Sequence, residues 1–520
     1  MSKFRKVKLT RLECASENHK KHTAHVTIHR IVNNTAISLV GQVVTWSSTL
    51  FLTAAYGRFL GDVKFGELYF ALTFVLLIGI PIERGFNQQI TRDVAQKPEK
   101  ALRYLSNTLL IKTVLWLILY TLILLISWLL RYNAETWSLI AICGFTLLTT
   151  GIGTTFASSH YALQRVLFPV VGTILEKGLS ALFGFFILKY TANVQLMALI
   201  LLGGSLISAI WQAIWFFHLV GAKFIVDRRT IRELIRSGIP FLAYGVMGVL
   251  YYRLDTILLS LITDNAVVGW YGAGYRLFDT LVFLPSLVIG TIMYPVFSKF
   301  STTSQANLKL AVEKSMNFLL FVAIPTSTFL IVAAPDIIGF LYHNPQFDHA
   351  IPVLQLLAPG LVFLYINSVH GSVIVSTKNE KKSTLMAGIA LLFNLTLNLI
   401  LIPIYQHIGA AVSTSLTEML LFSMGLFFVP RSLLPVKSLR VGAKVLIASL
   451  IMAVVTWPLH YLHNNLHILL LLPIAMVVYI GSALLIGAIP HEDLSALYKA
   501  IQYKTQRKQS SENTLSTEAA

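Results

Sequence analysis

The chain reads as an all-α, polytopic membrane protein. Three observations predict that class. Of 520 residues, 55% are hydrophobic and only 12% charged, about half the charge of an ordinary soluble domain. The mean hydropathy is +0.70. The apolar residues also gather into long runs with short polar breaks between them. This composition excludes an ordinary cytoplasmic enzyme, a disordered chain and a coiled coil. Two cysteines, Cys14 and Cys143, are too few for a disulfide framework or a Cys-rich metal site.

Fourteen runs are expected to span the bilayer: 31–53, 64–83, 107–130, 136–157, 167–188, 194–219, 238–262, 267–297, 312–334, 349–375, 384–404, 409–429, 441–462 and 465–489. Each is near the ~20 residues a helix needs to cross ~30 Å of hydrocarbon. Barrel strands would be about 10 residues long and strictly alternating. In lipid every backbone amide needs an internal partner, so the runs are helices.

Lysine and arginine justify the order of these elements. With a cytoplasmic N-terminus, the inner segments 1–30, 84–106, Arg165, 220–237, 298–314, 376–383, 430–444 and 490–520 hold 33 of the 41 Lys and Arg residues. The outer segments hold only Arg58, Lys64, Arg131 and Lys189. The net charge of +18 is therefore a topology signal and not a nucleic-acid footprint. An even helix count puts both termini in the cytoplasm. The polar N-terminus is too long for the n-region of a cleavable signal peptide. Residues 491–504 are expected to form a short amphipathic surface helix, followed by a disordered polar tail. No outer loop is long enough for a large extracellular domain.

A repeat organises the chain. Gly61-Asp62-Val63-Lys64-Phe65-Gly66-Glu67-Leu68-Tyr69 follows the first run, and Thr263-Asp264-Asn265-Ala266-Val267-Val268-Gly269-Trp270-Tyr271 follows the seventh. A turn and then Gly and Tyr open the next span in both. A spacing of six spans is what two parallel six-helix halves produce. The expected organisation is a basic N-terminal segment (1–30), an N-lobe (31–220), a C-lobe (221–430), two extra helices (431–489) and a cytoplasmic tail (490–520).

At these residues the sequence resembles a known family. Tyr56 to Gly61 followed by Phe65 to Tyr69 looks like the opening signature of the polysaccharide transporters. Val268 to Leu277 resembles their eighth helix, with Pro295 near its end. Asn394 to Asn398, Ile402-Pro403-Ile404-Tyr405 and Gly409-Ala410-Ala411 resemble their eleventh and twelfth. These are the O-antigen-type flippases of the multidrug/oligosaccharidyl-lipid/polysaccharide exporter superfamily. The resemblance implies two six-helix lobes around a central cavity, plus two C-terminal helices. It also implies movement of a polyprenyl-pyrophosphate-linked oligosaccharide from the cytoplasmic to the outer leaflet by alternating access.

Such a substrate has a lipid tail, an anionic pyrophosphate and a polar glycan. Its head group needs a wet, cationic passage, and intramembrane charges mark such passages. The seventh run carries Arg253 and Asp255, and the eighth carries Arg276 and Asp279 one turn apart. The resemblance places both helices on the cavity. Arginine is permanently charged and forks onto two phosphate oxygens, so Arg253 and Arg276 are the expected diphosphate ligands, with Asp255 and Asp279 beside them. The competing reading is that these four only brace two helices. Arg84 at the inner face and Arg58 near the outer mouth are further substrate candidates. Against these stand a topology charge for Arg84 and a lipid contact for Arg58.

Glu176 and Lys177 are adjacent in the fifth run, about 100° apart on a helix, and each is expected to need a partner on another helix. Asn394, Asn398, Gln355, Asn367 and His370 read as interhelical glue. Glu418 is a lone acid without an obvious local partner. Pro240, Pro285, Pro295, Pro325 and Pro403 are expected to break or kink helices. Tyr251, Tyr252, Trp270, Tyr271 and Tyr275 read mainly as an outer aromatic belt, with sugar stacking as the alternative. His19, His22, His25 and His29 read as part of a basic membrane-surface segment before a metal site.

No Walker loop is present, and no nucleophile elbow or acid pair sits in an adequate aqueous domain. Neither a cofactor nor catalysis is expected. Energy must come from an ion gradient, the membrane potential or consumption of the product, with Asp255, Asp279 and Glu176 as candidate coupling groups. Expected partners are the lipid-linked oligosaccharide, membrane lipids and a glycan polymerase or glycosyltransferases. The rival readings are an ion-coupled multidrug antiporter of the same superfamily, a membrane glycan polymerase or ligase, and a flippase for the peptidoglycan precursor.

Overall fold

The computed structural model describes residues 2–83, 86–461 and 467–488, with side chains mainly from residue 37 onward and not at a few positions such as Pro240. Arg84, the 491–504 segment and the tail lie outside the described residues, as do the side chains of His19, His22, His25 and His29. Among the described residues every regular element is helical. Among the described residues eleven helices are long and apolar enough to cross a membrane. The chain is a multi-pass membrane protein of all-α class. It divides into two compact units, Met1–Arg253 and Leu254–Ala520.

The first unit contains α1 (Ser2–Glu83), α2 (Asn87–Gln96), α3 (Ala101–Leu129), α4 (Ala134–Ala162), α5 (Leu167–Thr191), α6 (Val194–Val220) and the first part of α7 (Arg228–Ile262). Two predicted runs share α1, which bends at Gly61 (φ 73°, ψ 177°). That backbone conformation is open to glycine and closed to side chains. The starts of α4 and α6 follow local chemistry. Asn133 Oδ1 accepts the Thr136 N–H at 2.7 Å, and Asn193 Oδ1 accepts the Leu196 N–H at 2.9 Å. Each satisfies a donor that the first helical turn leaves free.

In this unit α4 packs against α1, α2, α3 and α6, and α5 packs against α1 and α6. Ile90, Leu105, Phe156, Phe216 and Leu234 form an apolar cluster. Leu117, Ile118 and Trp128 on α3 stay exposed, as suits a lipid-facing surface. Lipid is as apolar as leucine, so helices associate here through close packing and hydrogen bonds. At Gly204 on α6 a Cβ would lie 2.9 Å from the main-chain oxygen of Glu176 on α5.

The second unit contains the rest of α7, then α8 (Asn265–Leu281), the single turn α9 (Phe283–Pro285), a π-helical stretch (Ser286–Met293) and α10 (Tyr294–Thr303). It continues with α11 (Gln305–Tyr342), α12 (Ala350–Ser376), α13 (Glu380–Phe428), α14 (Val436–Thr456) and α15 (His467–Leu485). Asp264 caps α8 by accepting the Val267 N–H at 3.0 Å, so the second copy of the repeat breaks the chain as Gly61 bends the first. Two more predicted runs share α13. It bends at Gln406 (φ 50°, ψ −127°), three residues after Pro403. At Gly409 a Cβ would lie 2.5 Å from the Leu401 carbonyl oxygen, so only glycine lets the second arm return this closely.

The prolines do not all act as expected. Pro285 begins the passage from α9 into the π-helical stretch, and Pro295 sits in the first turn of α10. By contrast, α11 runs through Pro325 and Pro335 without a break. Each proline lacks an N–H and frees the carbonyl four residues earlier. Neighbouring side chains take up three of these carbonyls. The Tyr365 phenol donates to Leu281 O at 2.7 Å, the Tyr479 phenol to Phe321 O at 2.7 Å, and Gln355 Nε2 to Ile331 O at 3.0 Å. That substitution of partners keeps proline tolerable in a membrane helix.

Candidate functional site

In the first unit the predicted arginine on α7 meets the family-like opening motif. Arg253 is half-buried, and its Nη1 donates to the Tyr69 hydroxyl at 3.4 Å. Tyr69 is buried and stacks on Phe65, with ring centroids 6.4 Å apart and planes 8° apart. Glu67 of the same motif is also buried, and Thr136 Oγ1 of α4 donates to its Oε1 at 3.4 Å. Arg58 is exposed on the first arm of α1.

In the second unit Asp255 is 2% exposed. Its carboxylate accepts the Tyr271 phenol of α8. It also accepts the Thr256 N–H at 2.6 Å and the Thr256 hydroxyl at 3.3 Å. Arg276 and Asp279 are both half-buried on α8, and the Arg276 main-chain oxygen accepts the Thr280 hydroxyl at 2.9 Å. Tyr271 and Tyr275 are essentially inaccessible. This corrects their placement in an outer aromatic belt. They lie inside the bundle because Tyr271 serves the buried acid and the ring of Tyr275 packs on Tyr271 and Phe278.

Three further expectations change or gain detail. Lys177 Nζ donates to Glu176 Oε1 at 2.7 Å, with side-chain exposures of 40% and 20%. The neighbours pair after all, because the flexible four-carbon lysine stem swings across the angle between their Cβ directions. Glu418 is buried and has a partner: Asn367 of α12 donates to its Oε2 at 2.8 Å and to its main-chain oxygen at 2.9 Å. Asn398 donates to Asn394 Oδ1 at 2.9 Å, and Asn394 to Thr417 Oγ1 at 3.2 Å, so this pair joins the two arms of α13 as glue.

One cation that lies inside a predicted span has partners the sequence did not assign. Lys112 on α3 is 1% exposed, and its Nζ donates to Asn87 Oδ1 of α2 at 2.7 Å and to Gly151 O of α4 at 3.1 Å. Asn87 Nδ2 in turn donates to Glu83 O at 2.7 Å, across the junction of α1 and α2. The signal was a lone lysine inside a span; its three-helix setting needed coordinates. Among the described residues no group of three or more His, Cys, Asp or Glu is placed to hold a metal.

Residues 31–301, just over half of the chain, match the family described as "Polysaccharide biosynthesis protein". The chain belongs to that family. Residues 240–400 also match the family described as MatE. An uncharacterized membrane protein of Methanocaldococcus jannaschii is 28% identical over 214 residues, covering 41% of this chain and only 42% of that protein. The Escherichia coli protein named "Putative O-antigen transporter" is 24% identical over 384 residues, covering 72% of this chain and 90% of that one. The solved structure of "Lipid II flippase MurJ, inward closed conformation" aligns with a TM-score of 0.72 at 19% identity, covering 89% of this chain and 99% of that one. At that identity the likeness is one of fold.

Proposed function

We propose that this chain is a flippase. In this reading it moves a polyprenyl-pyrophosphate-linked oligosaccharide from the cytoplasmic to the outer leaflet of the cell membrane by alternating access, in surface polysaccharide biosynthesis. The observation that carries the reading is Arg253. It is a half-buried guanidinium on a predicted span, hydrogen-bonded to Tyr69 of the motif that marks the family. Membership of the polysaccharide biosynthesis family and the alignment to 90% of the E. coli relative support it.

Arg253 and Arg276 are the diphosphate ligands in this reading, with Asp255 and Asp279 setting their charge and Arg84 and Arg58 serving uptake and release. The two lobes are residues 31–220 and 221–430, followed by the extra helices at 431–489. Both termini are cytoplasmic. The chain moves its substrate without making or breaking a covalent bond, and Asp255, Asp279 and Glu176 remain the coupling candidates.

The test is export of the glycan in cells carrying Arg253→Ala or Arg276→Ala. Surface glycan is lost and lipid-linked glycan accumulates on the inner leaflet, while membrane abundance of the protein is unchanged. Normal glycan display in both variants overturns the assignment. The MatE match over residues 240–400 favours a second reading, an ion-coupled drug antiporter. It predicts energy-dependent efflux of organic cations by the wild type, which the flippase reading does not.

A further inference from the structure

Two basic stretches far apart in the sequence meet on one end of the first unit. Residues 92–103 and 223–236 together carry nine Lys and Arg against four Asp and Glu. Asn107 of α3 brings them together. Its Nδ2 donates to Ile225 O at 2.9 Å, and its Oδ1 accepts the Asp227 N–H at 2.9 Å. Ser106 Oγ accepts the Ile225 N–H at 3.2 Å, and Arg103 Nη1 lies 3.8 Å from Asp227 Oδ2. Asn107 and Ser106 are both buried. The linker between α6 and α7 is therefore fastened to α3 by its own main chain and is a built ledge.

The fastening also decides what the ledge presents. Asn107 grips the main chain at Ile225 and Asp227, and both residues are half-buried. The alternate residues Phe224 and Val226 are 65% and 54% exposed. Lys223, Arg228, Arg229 and Arg232 are exposed on either side of them. Exposed apolar side chains set among cations, next to the start of a predicted span, match a surface where acyl chains begin and headgroups are anionic.

We propose that this ledge binds anionic phospholipid headgroups, with Phe224 and Val226 entering the acyl boundary and Lys223, Arg228, Arg229 and Arg232 contacting phosphates. The site does not depend on the flippase reading and holds whatever the chain transports.

The experiment titrates the detergent-purified full chain with phosphatidylglycerol or phosphatidylcholine and follows bound lipid and the thermal midpoint. Wild type takes up phosphatidylglycerol in preference and is stabilised by it. The combined variant K223Q/R228Q/R229Q/R232Q needs about tenfold more phosphatidylglycerol or beyond, since each surface cation contributes measurably to anionic-lipid binding. R228K/R229K/R232K, which keeps the charge, binds as wild type. A measurement on wild type alone covers poor folding of the neutral variant. Raising NaCl from about 50 to about 500 mM weakens phosphatidylglycerol uptake and leaves phosphatidylcholine uptake unchanged. Equal uptake of both lipids by wild type, or salt-insensitive uptake, overturns the proposal. Unchanged phosphatidylglycerol affinity in the neutral variant together with loss of a co-purifying acidic protein also overturns it, and makes the ledge a protein-docking surface.

Discussion

Replacing Tyr479 by phenylalanine takes one oxygen out of the second unit and tests how this chain keeps proline inside a membrane helix. Pro325 cannot donate to Phe321 O, and the Tyr479 phenol does so from α15 at 2.7 Å. Tyr479 is 6% exposed, within the cluster of Val445, Ala448, Met452 and Ala475, so water does not readily replace its hydroxyl. An unsatisfied buried carbonyl costs about 1–3 kcal/mol in soluble proteins. Side-chain hydrogen bonds in membrane bundles average about 0.6 kcal/mol, with a maximum near ~1.7. A loss of about 1 kcal/mol is therefore expected for Tyr479→Phe, roughly a fivefold change in the unfolding constant.

The diagnostic partner is Pro325→Ala, which restores an N–H at the position that normally bonds Phe321 O. In that background Tyr479→Phe loses most of its cost, giving a coupling of about 0.5–1 kcal/mol between the two sites. Unfolding in a detergent titration, followed by circular dichroism, reads all four corners of the cycle. Additive effects within about 0.3 kcal/mol, or a neutral Tyr479→Phe in the Pro325 parent, would refute the substitution of donors.

Other outcomes follow from the same coordinates. Gly409→Ala drives a Cβ to 2.5 Å from a main-chain oxygen and is expected to lower the thermal midpoint by several degrees, at a cost of about 2 kcal/mol or more. Gly371→Ala, with nothing within 4 Å, serves as the neutral control. Lys112→Met strands Asn87 Oδ1, while Gly151 O keeps the Thr154 and Thr155 hydroxyls, and it is expected to destabilise by about 1–3 kcal/mol, read as a lower detergent-unfolding midpoint. The Thr230 hydroxyl first, and then the Arg229 N–H, hold the Asp227 carboxyl below its ordinary value. A depressed carboxyl stabilises above the unfolded pKa of about 3.9 and loses that effect as pH falls through the lower folded value. Limited proteolysis of the 221–230 linker should therefore accelerate on acidification below about pH 4 in wild type. Asp227→Asn should flatten that dependence.

Both bends rest on features visible in the sequence. Gly61 lies in the predicted turn between the first two runs, and Pro403 and Gly409 bracket the bend at Gln406. Among the described residues the predicted runs fall on helices or on one arm of a bent helix, except that 267–297 is divided among α8, α9, the π-helical stretch and α10, and 441–462 continues past the end of α14. The charged candidates were visible too, because a charge in an apolar run stands out one residue at a time. Their partners were not. Lys177 looked unable to reach Glu176 on ideal geometry, and the stem was flexible enough to do so.

What the amino-acid order decides by itself here is which segments enter hydrocarbon. Transfer from water to lipid is summed residue by residue along a span, and the backbone, with no other partner available, closes into helices. What only the tertiary structure decides is which polar group answers which. Tyr271 on Asp255, Tyr479 on the carbonyl freed by Pro325, Asn87 on Lys112 and Asn107 on the distant linker are pairings across helices. Such pairings depend on helix rotation and on close approach between side chains of different spans, and neither quantity is written in the hydropathy of any one of them.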